Sequence, residues 1–317
     1  MNLTWINQTG KCLGISCPER SVSTAVYVLL YVSGAAVVLS TVCGNLLIII
    51  SVCHFKQLHT PTNMLILSLA VSDFLIGVLV MPTALTWIIE SCWIFNGAHC
   101  VFSVLTSLSL TTSSIFNVAL IAVDRYFALS NPFLYTKAVS VNRMCYVVVS
   151  MWILLLFYHI ALQYFNGYYT NIVICPGNCF SSLDEGWFLF DFLMEFTFPF
   201  AVIIILYVRV FAIARKHATA IRDLNVQTVT IKSERKAAKV LGILVSIFVA
   251  CLLPYFICTI LVTVIQIDLR FSLILVYLNS TINPVIYALF YPWFRKCVKL
   301  TLTLTICNTD SSLMNIL

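Results

Sequence analysis

The chain has 317 residues, of which 61% are hydrophobic and only 9% are charged. That is too apolar for one or two water-soluble domains and points to a protein that crosses a membrane many times. The formal net charge of +6 is spread over short segments instead of gathering on one face, so it reports orientation across a bilayer and not a nucleic-acid footprint.

In chain order, a polar tail of about 20 residues opens with two sequons, Asn2-Leu-Thr and Asn7-Gln-Thr, which make Asn2 and Asn7 glycosylation candidates if the tail is lumenal. It lacks the apolar core of a cleavable signal peptide, so the first span is expected to direct its own insertion. A bilayer crossing needs about 20 apolar residues, and seven stretches qualify: Val22 to Val52, Asn63 to Ile89, His99 to Ser130, Arg143 to Phe165, Asp184 to Arg215, Ser233 to Ile267, and Leu269 to Tyr291. An odd number of crossings puts the ends on opposite sides. With the N-terminus outside, only Lys11, Arg20 and Arg270 of the 18 basic residues are external, the asymmetry that the positive-inside rule demands. The chain therefore divides into an external tail (1–21), a membrane domain (22–291) and a cytoplasmic amphipathic helix with its tail (292–317), in which Cys297 is either an acylation site or a silent thiol. Ala218 to Thr230, between the fifth and sixth spans, reads as the flexible stretch. Of the 13 cysteines, Cys43, Cys145, Cys251 and Cys258 lie within spans, where a free thiol packs as a small apolar group. Cys12, Cys17, Cys100, Cys175 and Cys179 lie outside, in an oxidising compartment, where two bridges leave one thiol over.

The most informative residues are two acids in the fifth span. Asp191 and Glu195 stand one helical turn apart in a segment otherwise apolar and aromatic. Ionisable groups at membrane depth are costly and usually face a cavity that needs their charge, so a pocket for a cation is expected. Two carboxylates about 6 Å apart repel and act as a coupled pair, which a ligand carrying two or more ammonium groups relieves best. Glu195 as a protonated packing partner is the alternative. Aromatic faces attract ammonium by about 0.5–2 kcal/mol each, which makes Trp187, Phe190, Tyr255, Phe256 and Tyr277 candidates for the cage, unless they simply pack. No basic residue in the spans is expected to pair with Asp191, and no histidine stands at useful sequence spacing from either acid.

Every span also carries one unusual polar or helix-breaking group: Gly44-Asn45, Asp73 in Leu-Ser-Leu-Ala-Val-Ser-Asp, Asp124-Arg125-Tyr126, Trp152, Pro199, Phe248 with Pro254, and Asn283-Pro284-Val-Ile-Tyr287. In this order they resemble the rhodopsin-like class of G-protein-coupled receptors from Val22 to Lys299. The closing segment, Asn279 to Lys296 with its Tyr291-Pro-Trp-Phe-Arg run, is similar to the fingerprint of trace amine-associated receptors.

The resemblance implies an all-α membrane protein: a seven-transmembrane helix bundle with an extracellular N-terminus and a short amphipathic eighth helix. Pro199, Pro254 and Pro284 would supply kinks. Asp73, Ser114, Asn279, Ser280 and Asn283 would gather oxygens suited to an allosteric sodium ion, with a purely hydrogen-bonded water network as the other reading; no further cofactor is implied. Arg125 would pair with Asp124 and Glu234, and once freed would meet Tyr207 and Tyr287 as a cleft opens for a heterotrimeric G protein of stimulatory or olfactory type. Arrestin, a receptor kinase and membrane lipid are further partners. Disulfides Cys100–Cys179 and Cys17–Cys175 are implied in the same way.

Receptors for biogenic amines usually hold the ammonium with an aspartate seven residues after the third-span cysteine; here that residue is Ser107, with Thr111 one turn further in. Asp191 supplies charge from the opposite wall, which resembles the non-classical trace amine branch of fishes and other aquatic vertebrates. The tryptophan usual two residues before the sixth-span proline is Leu252. The resulting expectation is a plasma-membrane, chemosensory receptor for amines, diamines or polyamines above all, raising cyclic AMP, and not an enzyme. A peptide or lipid receptor of the same fold, or an amine transporter, is the alternative. No seventh-span lysine exists for a retinal Schiff base, and no HExxH or Gly-x-Ser-x-Gly motif for a hydrolase.

Overall fold

The structure, a computed structural model, describes residues 17, 23–170, 179, 185–224, 229–265, 269–303, 312 and 314; side chains are not described at 166–170, 185, 214, 216–241, 262–265, 270 and 292. Asn2, Asn7, Cys12 and Cys175 lie outside the described residues, as does the side chain of Glu234.

Seven helical spans, each long and apolar enough to cross a membrane, follow one another. The first is α1 (Thr24–His54). The second comprises α2 (Pro61–Leu75), a π-helical turn (Ile76–Val80) and α3 (Met81–Glu90). The third is α4 (Gly97–Ser130), followed by a short loop helix α5 (Pro132–Ala138). The fourth is α6 (Val141–Thr170). The fifth comprises α7 (Glu185–Phe192), a π-helical turn (Leu193–Thr197) and α8 (Phe198–Leu224). The sixth and seventh are α9 (Val229–Ile265) and α10 (Arg270–Phe290), and α11 (Pro292–Leu302) closes the chain. Apolar composition drives helix formation here, since in lipid a span must satisfy its own backbone groups.

Local signals set the helix starts. Thr60 and Asn96 cap α2 and α4 by accepting from the backbone N–H of Asn63 and His99, and proline at the first turn of α2, α5 and α11 uses a position whose N–H has no helical partner. Pro199 acts less simply than a kink. A π-helical turn lies immediately upstream of it, and another upstream of Pro82, so the helix accommodates each missing donor by a local widening. Glu195 sits inside the second of these turns. Between the fifth and sixth spans α8 continues to Leu224 and α9 starts at Val229, and residues 225–228 of the expected flexible stretch lie outside the described residues.

The core is one apolar cluster running through the bundle, built on Ile48, Leu69, Ile115, Ile203, Phe248 and Tyr287. Gly44 permits the first and seventh spans to touch: a Cβ there would stand 2.8 Å from the ring of Pro284. The fourth span is the most peripheral, with Leu154 and Phe157 turned outward. It is nonetheless tied inward by Trp152, whose indole N–H donates to Ser68 at 3.0 Å. Helix α11 lays Trp293, Phe294 and Cys297 against the bundle and leaves Arg295 and Lys296 exposed. Cys297 is fully buried beside Ser51, and burial pushes its thiol up to about 11. Of the two readings of this thiol, the silent one fits its burial, with the sulfur against the first span.

Candidate functional site

The acids of the fifth span both meet the fourth. The hydroxyl of Tyr158 donates to Asp191 Oδ1 at 2.8 Å, and His159 Nε2 lies 3.0 Å from Glu195 Oε1. Asp191 is partly buried, Glu195 is 8% exposed and His159 is wholly buried. The imidazole stands at ion-pair distance but out of line for a hydrogen bond, since neither ring nitrogen nor Glu195 Oε1 has a hydrogen-bond partner among the described residues. This corrects the expectation that no histidine approaches the acids. Sequence spacing was the wrong measure, because the fourth and fifth spans run side by side and bring residues 36 positions apart into contact. The available signal was the Tyr158-His159 pair itself, a polar dipeptide in the apolar outer half of the fourth span.

The other candidates divide into two groups. Ser107 lies against the hydroxyl of Tyr277, with Tyr255 nearby, so the third, sixth and seventh spans converge there. Tyr255 also lies near enough to Glu195 and Asp191 to feel their charge. Phe256, by contrast, stacks on Phe196 at a centroid distance of 3.6 Å, and Phe192 and Phe200 adjoin the stack. It is part of the packing between the fifth and sixth spans. Trp187 makes an edge contact with Phe190 at 6.4 Å, and Phe190 is 47% exposed on the outside of the bundle.

Deeper in, a small void lies between Thr111, Ser114, Phe248, Leu252, Asn279 and Ser280. Leu252 and Phe248 are its buried apolar wall. Below it Asp73, fully buried, accepts from Ser280 at 2.7 Å, Asn283 at 2.7 Å and Ser114 at 3.4 Å. Three spans thus converge on one carboxylate. Asn279 Oδ1, also buried, has no hydrogen-bond partner among the described residues. A carboxylate, two hydroxyls and an orphaned amide oxygen form a set of hard oxygen donors that fits a small hard cation.

At the cytoplasmic end Arg125 pairs with Asp124 at 2.6 Å and also donates to the hydroxyl of Thr62. Asp124 accepts from Thr62 at 2.8 Å and from Tyr135, on the loop helix α5, at 2.7 Å. Burial, followed by its bond to Asp124, holds the Tyr135 phenol above its usual range. Thr62 and Tyr135 were not foreseen, since neither adjoins the Asp124-Arg125-Tyr126 motif in sequence. Tyr126 is partly buried. The buried hydroxyls of Tyr207 and Tyr287 have no hydrogen-bond partner among the described residues.

Two disulfides close the outer face. Cys100, at the head of the third span, is joined to Cys179. Cys17 is joined to Cys92, which corrects the expected Cys17–Cys175 pairing. The reason is local: Ser91 ends the second span in the left-handed region at φ 55°, and Cys92 at this rim reaches a Cα–Cα distance of 5.5 Å from Cys17, within bonding range. Cys92 lies beyond the expected end of the second span at Ile89 but does not figure among the external cysteines that the sequence suggests.

Comparison with known proteins identifies the assembly. Residues 44–287 match the family model of the 7 transmembrane receptor (rhodopsin family). The chain is 35% identical to trace amine-associated receptor 1 of Macaca mulatta, covering 95% of each chain. It is 38% identical to trace amine-associated receptor 13c of Danio rerio, over 93% of this chain and 91% of the relative, and 40% identical to trace amine-associated receptor 8a of Rattus norvegicus, over 95% and 94%. These relatives are receptors and not enzymes, and with seven apolar spans they make this a multi-pass plasma-membrane receptor whose partners are a small-molecule ligand and a G protein. The chain belongs to the trace amine-associated receptors of the rhodopsin family.

Proposed function

We propose that the ligand is an amine whose ammonium is held by Asp191. One observation carries this reading: a carboxylate in an apolar span, at pocket depth, is met by a single tyrosine hydroxyl and, among the described residues, by no lysine or arginine. An uncompensated acid at that depth is stabilised by a cation from outside. Ser107, on the third span where an aspartate is usual, offers no charge. Tyr255 and Tyr277 complete the polar floor beside it, and the names of the relatives support an amine over a peptide or lipid. With Glu195 one turn along, a diamine or polyamine can place a second ammonium on the same wall.

Ligand capture at the fifth span is coupled inward through the proline-bearing sixth and seventh helices. Release of Arg125 from Asp124 and Thr62 lets the guanidinium reach the unpaired hydroxyls of Tyr207 and Tyr287, opening a cleft for the G protein. The coupling is to a stimulatory or olfactory G protein with a rise in cyclic AMP, in a chemosensory role. Asp73, Ser114, Asn279 and Ser280 would hold a sodium ion in the resting receptor, which neutralises Asp73.

The test is a panel of mono-, di- and polyamines read by cyclic AMP in cells displaying the full chain. Asp191→Asn is expected to weaken every amine by about 100-fold or more, the loss that follows removal of one partner of a desolvated charge pair. Glu195→Gln is expected to weaken diamines about tenfold more than monoamines. Full monoamine potency in Asp191→Asn rejects the anchor.

A further inference from the structure

The two contacts between the fourth span and the acid pair differ in kind. Tyr158 makes an aligned hydrogen bond to Asp191, and its oxygen is neutral. His159 approaches Glu195 to 3.0 Å without alignment, which leaves both ring nitrogens and Glu195 Oε1 without a hydrogen-bond partner among the described residues, although all three atoms are buried. Buried polar groups left unsatisfied are costly, and each gains when a better-aligned partner arrives. An ammonium, with three freely rotating donors, is such a partner for Glu195.

Resting on the amine reading above, we propose that His159 is a specificity-determining residue: it occupies Glu195 in the unliganded receptor, and a second ammonium reaches that carboxylate only by displacing the imidazole. A monoamine anchored at Asp191 leaves the pair undisturbed. A diamine exchanges one partner of Glu195 for another, so its apparent affinity falls by the fraction of receptors in which Glu195 is free, whereas that of a monoamine does not. His159 therefore sets a threshold against multiply charged ligands that the two carboxylates alone would not impose. Tyr158, fixed to Asp191 on the neighbouring position of the same helix, holds the imidazole in register with the acids.

The test uses the full chain at the cell surface, with display measured by an epitope label, and reads cyclic AMP for 1-aminohexane and 1,6-diaminohexane. His159→Asn is expected to improve diamine potency by about tenfold while leaving monoamine potency within about twofold. Adding Glu195→Gln to His159→Asn is expected to erase that gain, the coupling that a double-mutant cycle isolates. A poorly displayed His159→Asn is replaced by His159→Gln, a neutral amide of similar reach, read in the same way. An unchanged ratio of diamine to monoamine potency, equal losses for both ligands, or a gain that survives Glu195→Gln overturns the proposal. Failure of the amine reading looks different, because Asp191→Asn would then leave 1-aminohexane potency unaltered whatever the ratio does.

Discussion

Asp73 and the Asp191–Glu195 pair are acids set in one apolar bundle, Asp73 and Glu195 buried and Asp191 partly so, and the structure treats them in opposite ways. Asp73 accepts three hydrogen bonds from two spans. Asp191 receives one, from a tyrosine, and Glu195 faces an imidazole that fails to satisfy it. Among the described residues the deep acid is met by three donors, whereas the outer pair is left short of them. On the amine reading proposed above, what marks a carboxylate that awaits a ligand is thus how few donors the fold aims at it, not its depth or its residue type.

The largest expected effect sharpens this contrast. Asp73→Ala strands three donors, and at about 1–3 kcal/mol for each buried unsatisfied group it should lower stability by several kcal/mol. Asp191→Ala frees one tyrosine hydroxyl and should cost about 1–2 kcal/mol. Thermal unfolding of the two purified variants in detergent checks this, and equal losses would erase the distinction.

The outer region relies on covalent ties where the inner relies on hydrogen bonds. The Cys17–Cys92 bridge spans a sequence separation of 75, which limits its chain-entropy contribution to about 4 kcal/mol. Cys17→Ser and Cys92→Ser should reduce amine potency and stability equally, and the double variant should be no worse than either single one. Unequal single effects would break the pairing. The sodium reading gives a smaller, several-fold effect: raising sodium should lower agonist potency in wild-type membranes and have no influence in Asp73→Asn. A dose-response curve of wild type that ignores sodium would leave Asp73 as a hydrogen-bonded joint alone. Smaller again, Trp152→Phe removes the bond to Ser68 and should cost about 1 kcal/mol in unfolding without altering ligand preference. Finally, at pH 8 a thiol held near 11 is only about one part in a thousand thiolate, so Cys297 should resist iodoacetamide until the protein unfolds or the pH rises through that value.

The spans and their sidedness were legible because they depend on quantities a sequence carries directly, namely apolar length and the placement of Lys and Arg. The helix-breaking residues were legible as well, since proline removes a donor wherever it stands. Which distortion follows was not. The π-helical turns before Pro82 and Pro199 depend on how neighbouring helices receive the strain. Contacts between spans were the other blind spot. Tyr158, His159, Thr62 and Tyr135 reach their acids through the rotation and tilt of whole helices, which periodicity in an all-apolar span cannot fix. Cys92 stood outside the second span in sequence and structure alike, and which N-terminal or loop thiol it meets depends on how the external segments fold over the rim, which spacing along the chain does not fix.

A cryo-electron microscopy map of the full chain with an amine agonist and its G protein tests most directly the proposed pairing of the ammonium with the fifth-span carboxylate. The predicted result is the ligand nitrogen about 2.8 Å from the Asp191 carboxylate, the length of a charge-assisted bond. A nitrogen held by another span, with Asp191 still bonded only to Tyr158, would contradict it.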